Sequence, residues 1–511
     1  MTPSPTDLVR GVPKLPTAIP GFDLIANGGL PEHRSTLVAG TAGSAKTVFA
    51  THYLAAGIME RGEAGVFVTF EDTPDAIRSN MRGFGWDIAA WEQQGKWAFV
   101  DASPQVDGPP PVVGDYDIGA MLPRVEHAVR RVGAKRIALD SLNALFLQFP
   151  DPSVLRGELY RLSALLKRLG VTVVFTGERT EDYGDVTRFG IEEFVADNVV
   201  ILRNLLADER RRRTIEILKL RGAPHQRGEV PFTITPRGIV VIPLTAQELT
   251  QSSSTVRVSS GVPALDAMCG GGFFRDSITL VSGATGTGKT LLVTQFLGGG
   301  KRRTDERSLL FAFEESRDQL LRNAAAWGLD FETMEKRGRL RIVNTYPHAM
   351  PMEDHLVRMR DIIAEFRPTR VALDSLSALE RVFSLRSFRE FVISLTSELK
   401  RDEITGLFTS TTPNLLGGGS VTEKHISTLT DAIILLRYVE TFGSMRRSIA
   451  VLKMRGSAHD HDIHEYTIEA DGMRIGAPFR GVTGILSGQQ RIVAPALLED
   501  ALDGNHGAEE D

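Results

Sequence analysis

Two stretches of this chain carry residue types spaced to hold phosphate. Residues 40–47 read Gly-Thr-Ala-Gly-Ser-Ala-Lys-Thr, and residues 283–290 read Gly-Ala-Thr-Gly-Thr-Gly-Lys-Thr. The second is a complete G-x-x-x-x-G-K-[ST] loop; the first has Ala45 where the sixth position calls for glycine. In such a loop the backbone N–H groups at a helix start cradle phosphate oxygens. That assigns nucleotide contacts to Gly40, Thr41, Gly43, Ser44 and Lys46 in the first copy. In the second it assigns them to Gly283, Thr285, Gly286, Thr287, Gly288 and Lys289. Lys46 and Lys289 would reach the β- and γ-phosphates, and the hydroxyls of Thr47 and Thr290 would hold Mg²⁺. Ala45 is expected to weaken the first loop, because a Cβ disfavours positive φ and close phosphate approach.

Further candidates recur at matched positions. Asp140 and Asp374 end apolar runs in Ala-Leu-Asp-Ser-Leu and are expected to help hold the magnesium ion. Glu71-Asp72 and Glu314-Glu315 also end apolar runs. Adjacent carboxylates there suggest a base that orients or deprotonates the attacking oxygen. Lys219-x-Arg221 and Lys453-x-Arg455 close late strands, where a period of two puts both cations on one face. They read either as solvated strand ends or as groups reaching the nucleotide of a neighbouring subunit, and His225 and His459 are grouped with them. The Arg210–Arg213 run reads as a solvated face or a subunit contact.

The elements that must position these residues are duplicated. Lys46 and Lys289, Asp23 and Asp266, and Glu71 and Glu314 are each 243 residues apart. Asp140 and Asp374, and Lys219 and Lys453, are 234 apart, so the first copy holds nine extra residues between 72 and 140. The Gly/Pro-rich stretch 106–115 is the expected place, since loops absorb insertions. The duplication predicts an N-terminal domain over 1–246, a C-terminal domain over 247–490 and an acidic, disordered tail over 491–511. A polar run at 245–255 marks the linker. Short Val/Ile-rich strands alternate with amphipathic helices: strands at 35–39, 65–70, 97–101, 136–140 and 171–176, helices at 118–131 and 154–169. That alternation predicts an α/β fold with a mostly parallel sheet covered on both faces.

Composition bounds the function. A net charge of −5 over 511 residues gives no global attraction to nucleic acid or to an anionic membrane. The single cysteine, Cys269, excludes a disulfide framework and a cysteine zinc site. No signal segment and no membrane-length apolar run is read, so a cytoplasmic protein is expected.

The copies differ at one informative place. Ser427 and Thr428 align with Glu193 and Phe194, so a pair of hydroxyls exists only in the second copy. They read either as turn residues that drifted or as phospho-acceptors. With the two phosphate loops, Phe-Val-Thr-Phe-Glu-Asp-Thr-Pro, Phe-Glu-Glu-Ser-Arg, His-Ile-Ser-Thr and the two Lys-x-Arg-Gly strands, the chain resembles the KaiC family over about residues 15–490. These are double-domain RecA-like ATPases and autokinases of clock systems. The resemblance implies two tandem RecA-like P-loop domains in a homohexameric double ring, with ATP and Mg²⁺ at subunit interfaces. It implies a slow ATPase using Glu71 in the N-terminal ring. In the C-terminal ring it implies phosphate transfer to Ser427 and Thr428 with Glu314 as base, and Thr422 matches a third family position. A KaiB-like partner on the N-terminal ring is implied as well. Asp72 departs from the family's second glutamate, and the tail after Ala494 does not resemble the segment that binds KaiA, which argues against a KaiA-like partner. The rival readings are a RecA-like DNA recombinase or helicase, and a nucleotide-switched scaffold without kinase activity.

Overall fold

The structure is a computed structural model. It describes residues 12–103, 118–144, 152–187, 196–207, 209–243, 253–299, 306–412, 428–441, 443–480, 482–485 and 491–492. The insertion at 106–115, most of the linker, Glu193, Phe194, Thr422, Ser427 and the tail from 493 lie outside the described residues. Contacts divide the chain into two units, Met1–Gln247 and Glu248–Asp511.

Each unit is built on a nine-stranded sheet. In the first, the strands are β1 (Ser35–Gly40), β2 (Gly65–Thr69), β3 (Trp97–Asp101), β4 (Arg136–Asp140), β5 (Thr172–Glu178), β6 (Asn198–Ala207), β7 (Arg210–Leu220), β8 (Val230–Thr235) and β9 (Gly238–Val241). Their order is β9-β8-β7-β6-β1-β5-β4-β2-β3. From β6 to β3 every pairing is parallel; β7, β8 and β9 continue the sheet antiparallel. The second unit repeats this with β10 (Ile278–Gly283), β11 (Ser308–Ala312), β12 (Leu340–Asn344), β13 (Arg370–Asp374), β14 (Thr405–Thr411), β15 (Ala432–Thr441), β16 (Ser444–Met454), β17 (His464–Glu469) and β18 (Gly472–Pro478). Its order is β18-β17-β16-β15-β10-β14-β13-β11-β12, the same topology.

The parallel strands are apolar on both sides because helices cover both. Along β1, Val38 packs into one core with α1 (Lys46–Arg61), while Leu37 and Ala39 pack into the other with α2 (Ile118–Val132) and α3 (Pro152–Arg168). Alternate side chains of a strand face opposite ways, so one run of buried residues feeds two cores. In the second unit α4 (Lys289–Gly298) follows β10 as α1 follows β1. The mostly parallel, two-faced sheet is the architecture expected from the sequence.

One buried ion pair ties each unit together beneath its phosphate-loop helix. Arg136, fully buried, bonds Glu63 at 2.8 Å and the carbonyls of Pro16, Thr17 and Tyr53. Its guanidinium lies 5.0 Å from the centre of the Tyr53 ring. Arg370 repeats this with Glu306, the carbonyls of Ser259 and Phe296, and the Phe296 ring. A guanidinium so buried must have its donors satisfied. The carbonyls come from two separate segments in each unit, one of them the phosphate-loop helix, so the pair fixes the strand bearing Asp140 or Asp374 against the helix bearing Lys46 or Lys289.

Candidate active sites

Both phosphate loops join the carboxyl end of the central strand to a helix. In the second unit Gly286 and Gly288 take φ of 82° and 88°, and a Cβ on Gly286 would lie 2.6 Å from the Tyr438 hydroxyl. Gly288 heads α4 in the left-handed region, and Ala45 heads α1 there too, with φ 77° and ψ 30°. The first loop therefore keeps the glycine backbone with an alanine in it. Lys289 donates to the carbonyls of Gly283 and Ala284 at 2.8 and 2.9 Å; Lys46 donates to that of Thr41 at 3.0 Å. Burial lowers the pKa of both lysines. For Lys46, Glu178, Asp140 and Glu71 pull it back up; for Lys289, Asp374 and Glu314 do. Lys289 thus sits among carboxylates named from sequence, and Lys46 among two of them with Glu178 added.

Asp140, buried, and Asp374, partly buried, lie at the ends of β4 and β13. Thr290 Oγ1 donates to Asp374 Oδ2 at 2.8 Å, and Thr409 donates to the other oxygen. Thr176 and Thr47 bond Asp140 in the same way. Burial raises both carboxyls above their ordinary range; the threonines and the lysine only partly oppose it. A carboxylate paired with a threonine hydroxyl beside a phosphate loop is an all-oxygen donor set that suits Mg²⁺. Ser44 Oγ is buried without a hydrogen-bond partner among the described residues.

The paired carboxylates are not equivalent. Ser141 Oγ donates to Glu71 Oε1 at 2.7 Å, and Ser375 Oγ to Glu314 Oε2 at 2.9 Å. Both glutamates are exposed, and each accepts from the serine that follows Asp140 or Asp374. Arg381 also pairs with Glu314. Glu315 is half-buried, bonded by Asn323 at 3.2 Å, and its pKa is raised by burial and by Asp374. Asp72 points an exposed side chain outward while its carbonyl accepts from Thr69.

The late cations lie elsewhere in each unit. Lys219 donates to the Ala196 carbonyl at 3.0 Å and Lys453 to that of Thr430 at 2.8 Å. Arg455 donates to the Thr428 carbonyl at 2.8 Å and lies 3.7 Å from Asp431; Arg221 lies 3.7 Å from Asp197. Within one chain they therefore pin the segments 196–198 and 428–431. Arg221 follows the last residue of β7, so strand alternation does not extend to it. His225 keeps Nδ1 buried without a partner among the described residues, and the His459 ring lies 4.5 Å from that of His461. Thr428 itself is exposed.

Several site residues escaped the sequence reading. Ser141 and Ser375 were in view, inside the duplicated Ala-Leu-Asp-Ser-Leu. Thr176 and Thr409 carry no motif and reach the aspartate only because β4 and β5, or β13 and β14, are neighbours. Asp182 accepts from Thr41 Oγ1 at 2.8 Å, and Glu178, which accepts from Asn143 at 3.2 Å, stands near Lys46. Thr411 fills the corresponding strand end of the second unit, so the first site carries the greater negative charge.

Comparison with known proteins agrees with this geometry. The profile of the KaiC ATPase family matches residues 15–246 and 258–479. The circadian clock protein KaiC3 of a Synechocystis species is 63% identical over 490 residues, covering 96% of this chain and 97% of that protein. The circadian clock oscillator proteins KaiC of Thermostichus vulcanus and Synechococcus elongatus are 55% and 54% identical, over 95% and 94% of this chain and 93% and 92% of their own lengths. No helix among the described residues is long and apolar enough to cross a membrane.

Proposed function

The chain belongs to the KaiC family of ATPases, two RecA-like domains in tandem, and from that premise we propose that its two sites divide the labour. The first hydrolyses ATP slowly; the second also transfers the γ-phosphate to Ser427 and Thr428. The observation that carries this reading is a difference between near-identical sites. Both have lysine, threonine, aspartate and a serine-aimed glutamate, yet only the second unit has hydroxyls at 427 and 428, beside a backbone held by Arg455 and Lys453.

Mg²⁺, held by Thr47 with Asp140 or Thr290 with Asp374, would neutralise charge on the phosphates. The chain's own groups do the rest. The loop amides and Lys46 or Lys289 bind and orient the triphosphate. Glu71 accepts a proton from water in the first site, and Glu314 from the acceptor hydroxyl in the second, each carboxylate turned by its serine. Transfer requires the acceptor oxygen in line with the γ-phosphate. Thr428 lies just before β15, whose start pairs with the amino end of β10, whereas the phosphate loop follows the carboxyl end of β10, so the acceptor is best supplied by a neighbouring subunit in a ring of six. A KaiB-like protein on the N-terminal ring, work in the cytoplasm and no requirement for a KaiA-like partner complete the proposal. The relatives' names as clock proteins favour it over the recombinase and scaffold readings. Incubation with γ-labelled ATP and Mg²⁺ followed by phosphosite mapping tests it. Label is expected at Ser427 and Thr428 and not in the first unit; label confined to other residues would overturn the assignment.

A further inference from the structure

The second unit carries a tract that its duplicate lacks. Residues 459–464 read His-Asp-His-Asp-Ile-His, where the first unit has His225-Gln-Arg-Gly-Glu-Val230. The leading histidine is common to both; four of the five residues after it are potential metal ligands in the second unit only. In space, one carboxylate oxygen each from Asp460 and Asp462 and one ring nitrogen of His464 lie within 4.8 Å of one another.

The orientation of His464 adds an independent constraint. Its Nδ1 is 2.9 Å from the carbonyl of Gly476 on the neighbouring strand β18, so that nitrogen must carry a proton. The other nitrogen, Nε2, faces Asp460 Oδ2 at 2.9 Å. In the neutral ring that arrangement opposes a lone pair to a carboxylate, and only a shared cation, a proton or a metal ion, makes it favourable. A backbone carbonyl that fixes the tautomer and aims the free nitrogen is the support that ligating histidines receive in metal sites. The Asp460 side chain is one-third exposed and that of Asp462 about half, so a hydrated ion has access. Arg480 bonds Asp462 at 3.2 Å and the Asp462 amide donates to Asp460 Oδ1 at 2.8 Å, which hold both carboxylates in place. A set of one imidazole and two carboxylates selects a borderline ion such as Zn²⁺ over Mg²⁺, which prefers oxygen alone.

We propose that Asp460, Asp462 and His464 form a binding site for a divalent transition-metal ion of the zinc class, separate from the magnesium site at Asp374. Exposed His461, between the two carboxylates in sequence, or water would complete the four ligands zinc prefers.

The test is equilibrium dialysis of the tag-free full chain against zinc chloride in excess Mg²⁺, with bound zinc counted by mass spectrometry. Wild type is expected to bind one zinc ion per chain more than His464→Asn or Asp462→Asn, each of which should weaken that site about tenfold or more. Zinc should also raise the melting temperature of wild type and not of the variants. If His464→Asn fails to fold, the half-exposed Asp462→Asn decides. No zinc on wild type, or the same zinc on wild type and on the folded variants, would overturn the proposal and leave His464–Asp460 as an ion pair only.

Discussion

Exchanging the two residues that head the phosphate-loop helices should move stability in opposite directions. Ala45 and Gly288 share a left-handed backbone, with φ of 77° and 88°. That conformation costs an L-residue about 1–2 kcal/mol. Gly288→Ala would add the cost to the second unit, with a new Cβ 3.0 Å from Ile468 Cδ1, the flexible end of a side chain that can yield cheaply. Restricting the unfolded chain returns about 0.4–1 kcal/mol. The net is a destabilisation of roughly 0.5–1.5 kcal/mol. Ala45→Gly relieves the same strain but gives up the unfolded-state term and part of a methyl packed on the first core, worth at most about 0.8 kcal/mol. It should therefore leave the first unit within about 1 kcal/mol of wild type, on the stabilised side. Urea titration with proteolysis and peptide mass spectrometry reads the two units separately in the full chain. The strain also caps what glycine can return to nucleotide affinity in the first site, at about 5–30-fold. A Gly288→Ala chain as stable as wild type, with Ala45→Gly destabilised by more than 1 kcal/mol, would refute the reasoning and show that alanine suits the loop.

Three further outcomes follow from the site. Glu314→Gln should remove phosphate transfer while leaving ATP binding in the second site largely intact, measured by label incorporation beside a fluorescent-nucleotide titration; loss of both would make Glu314 a binding group. Because burial raises the Asp374 carboxyl above the ordinary value of about 3.9, its contribution to stability is full below that value and is lost as pH rises through the raised one. Magnesium binding has the opposite sign: the Mg²⁺ requirement should ease as pH rises through the raised value, and a Mg²⁺ requirement that stays flat from acid to neutral pH would contradict it. Glu63→Gln should leave the Arg136 guanidinium uncompensated and cost the first unit about 3–5 kcal/mol, read by the same unit-resolved titration; a loss under about 1 kcal/mol would mean that the three carbonyl bonds suffice.

What could be read from sequence was what depends on contiguous residues. Lys46, Thr47, Lys289 and Thr290 belong to loops whose chemistry is local, and Asp140 and Asp374 end apolar runs that can only be buried strands. The duplication supplied the rest of the frame, since every landmark was seen twice. Thr176, Thr409, Arg381 and Asp182 were invisible because strand adjacency or loop return brings them to the site, and neither is written in spacing. The Lys-x-Arg pairs show a different limit. Alternation placed Lys219 on its strand, but β7 ends at Leu220, and a turn decides where Arg221 goes. The aligned pair Glu193 and Phe194 against Ser427 and Thr428 remains legible in sequence alone.

The central claim is that one unit hydrolyses ATP while the other also phosphorylates itself, and its most direct test measures both activities in one sample. Ser427→Ala with Thr428→Ala, incubated with γ-labelled ATP and Mg²⁺, is predicted to incorporate no label while still releasing phosphate through the first site. Label on the double variant at the wild-type level would contradict the account.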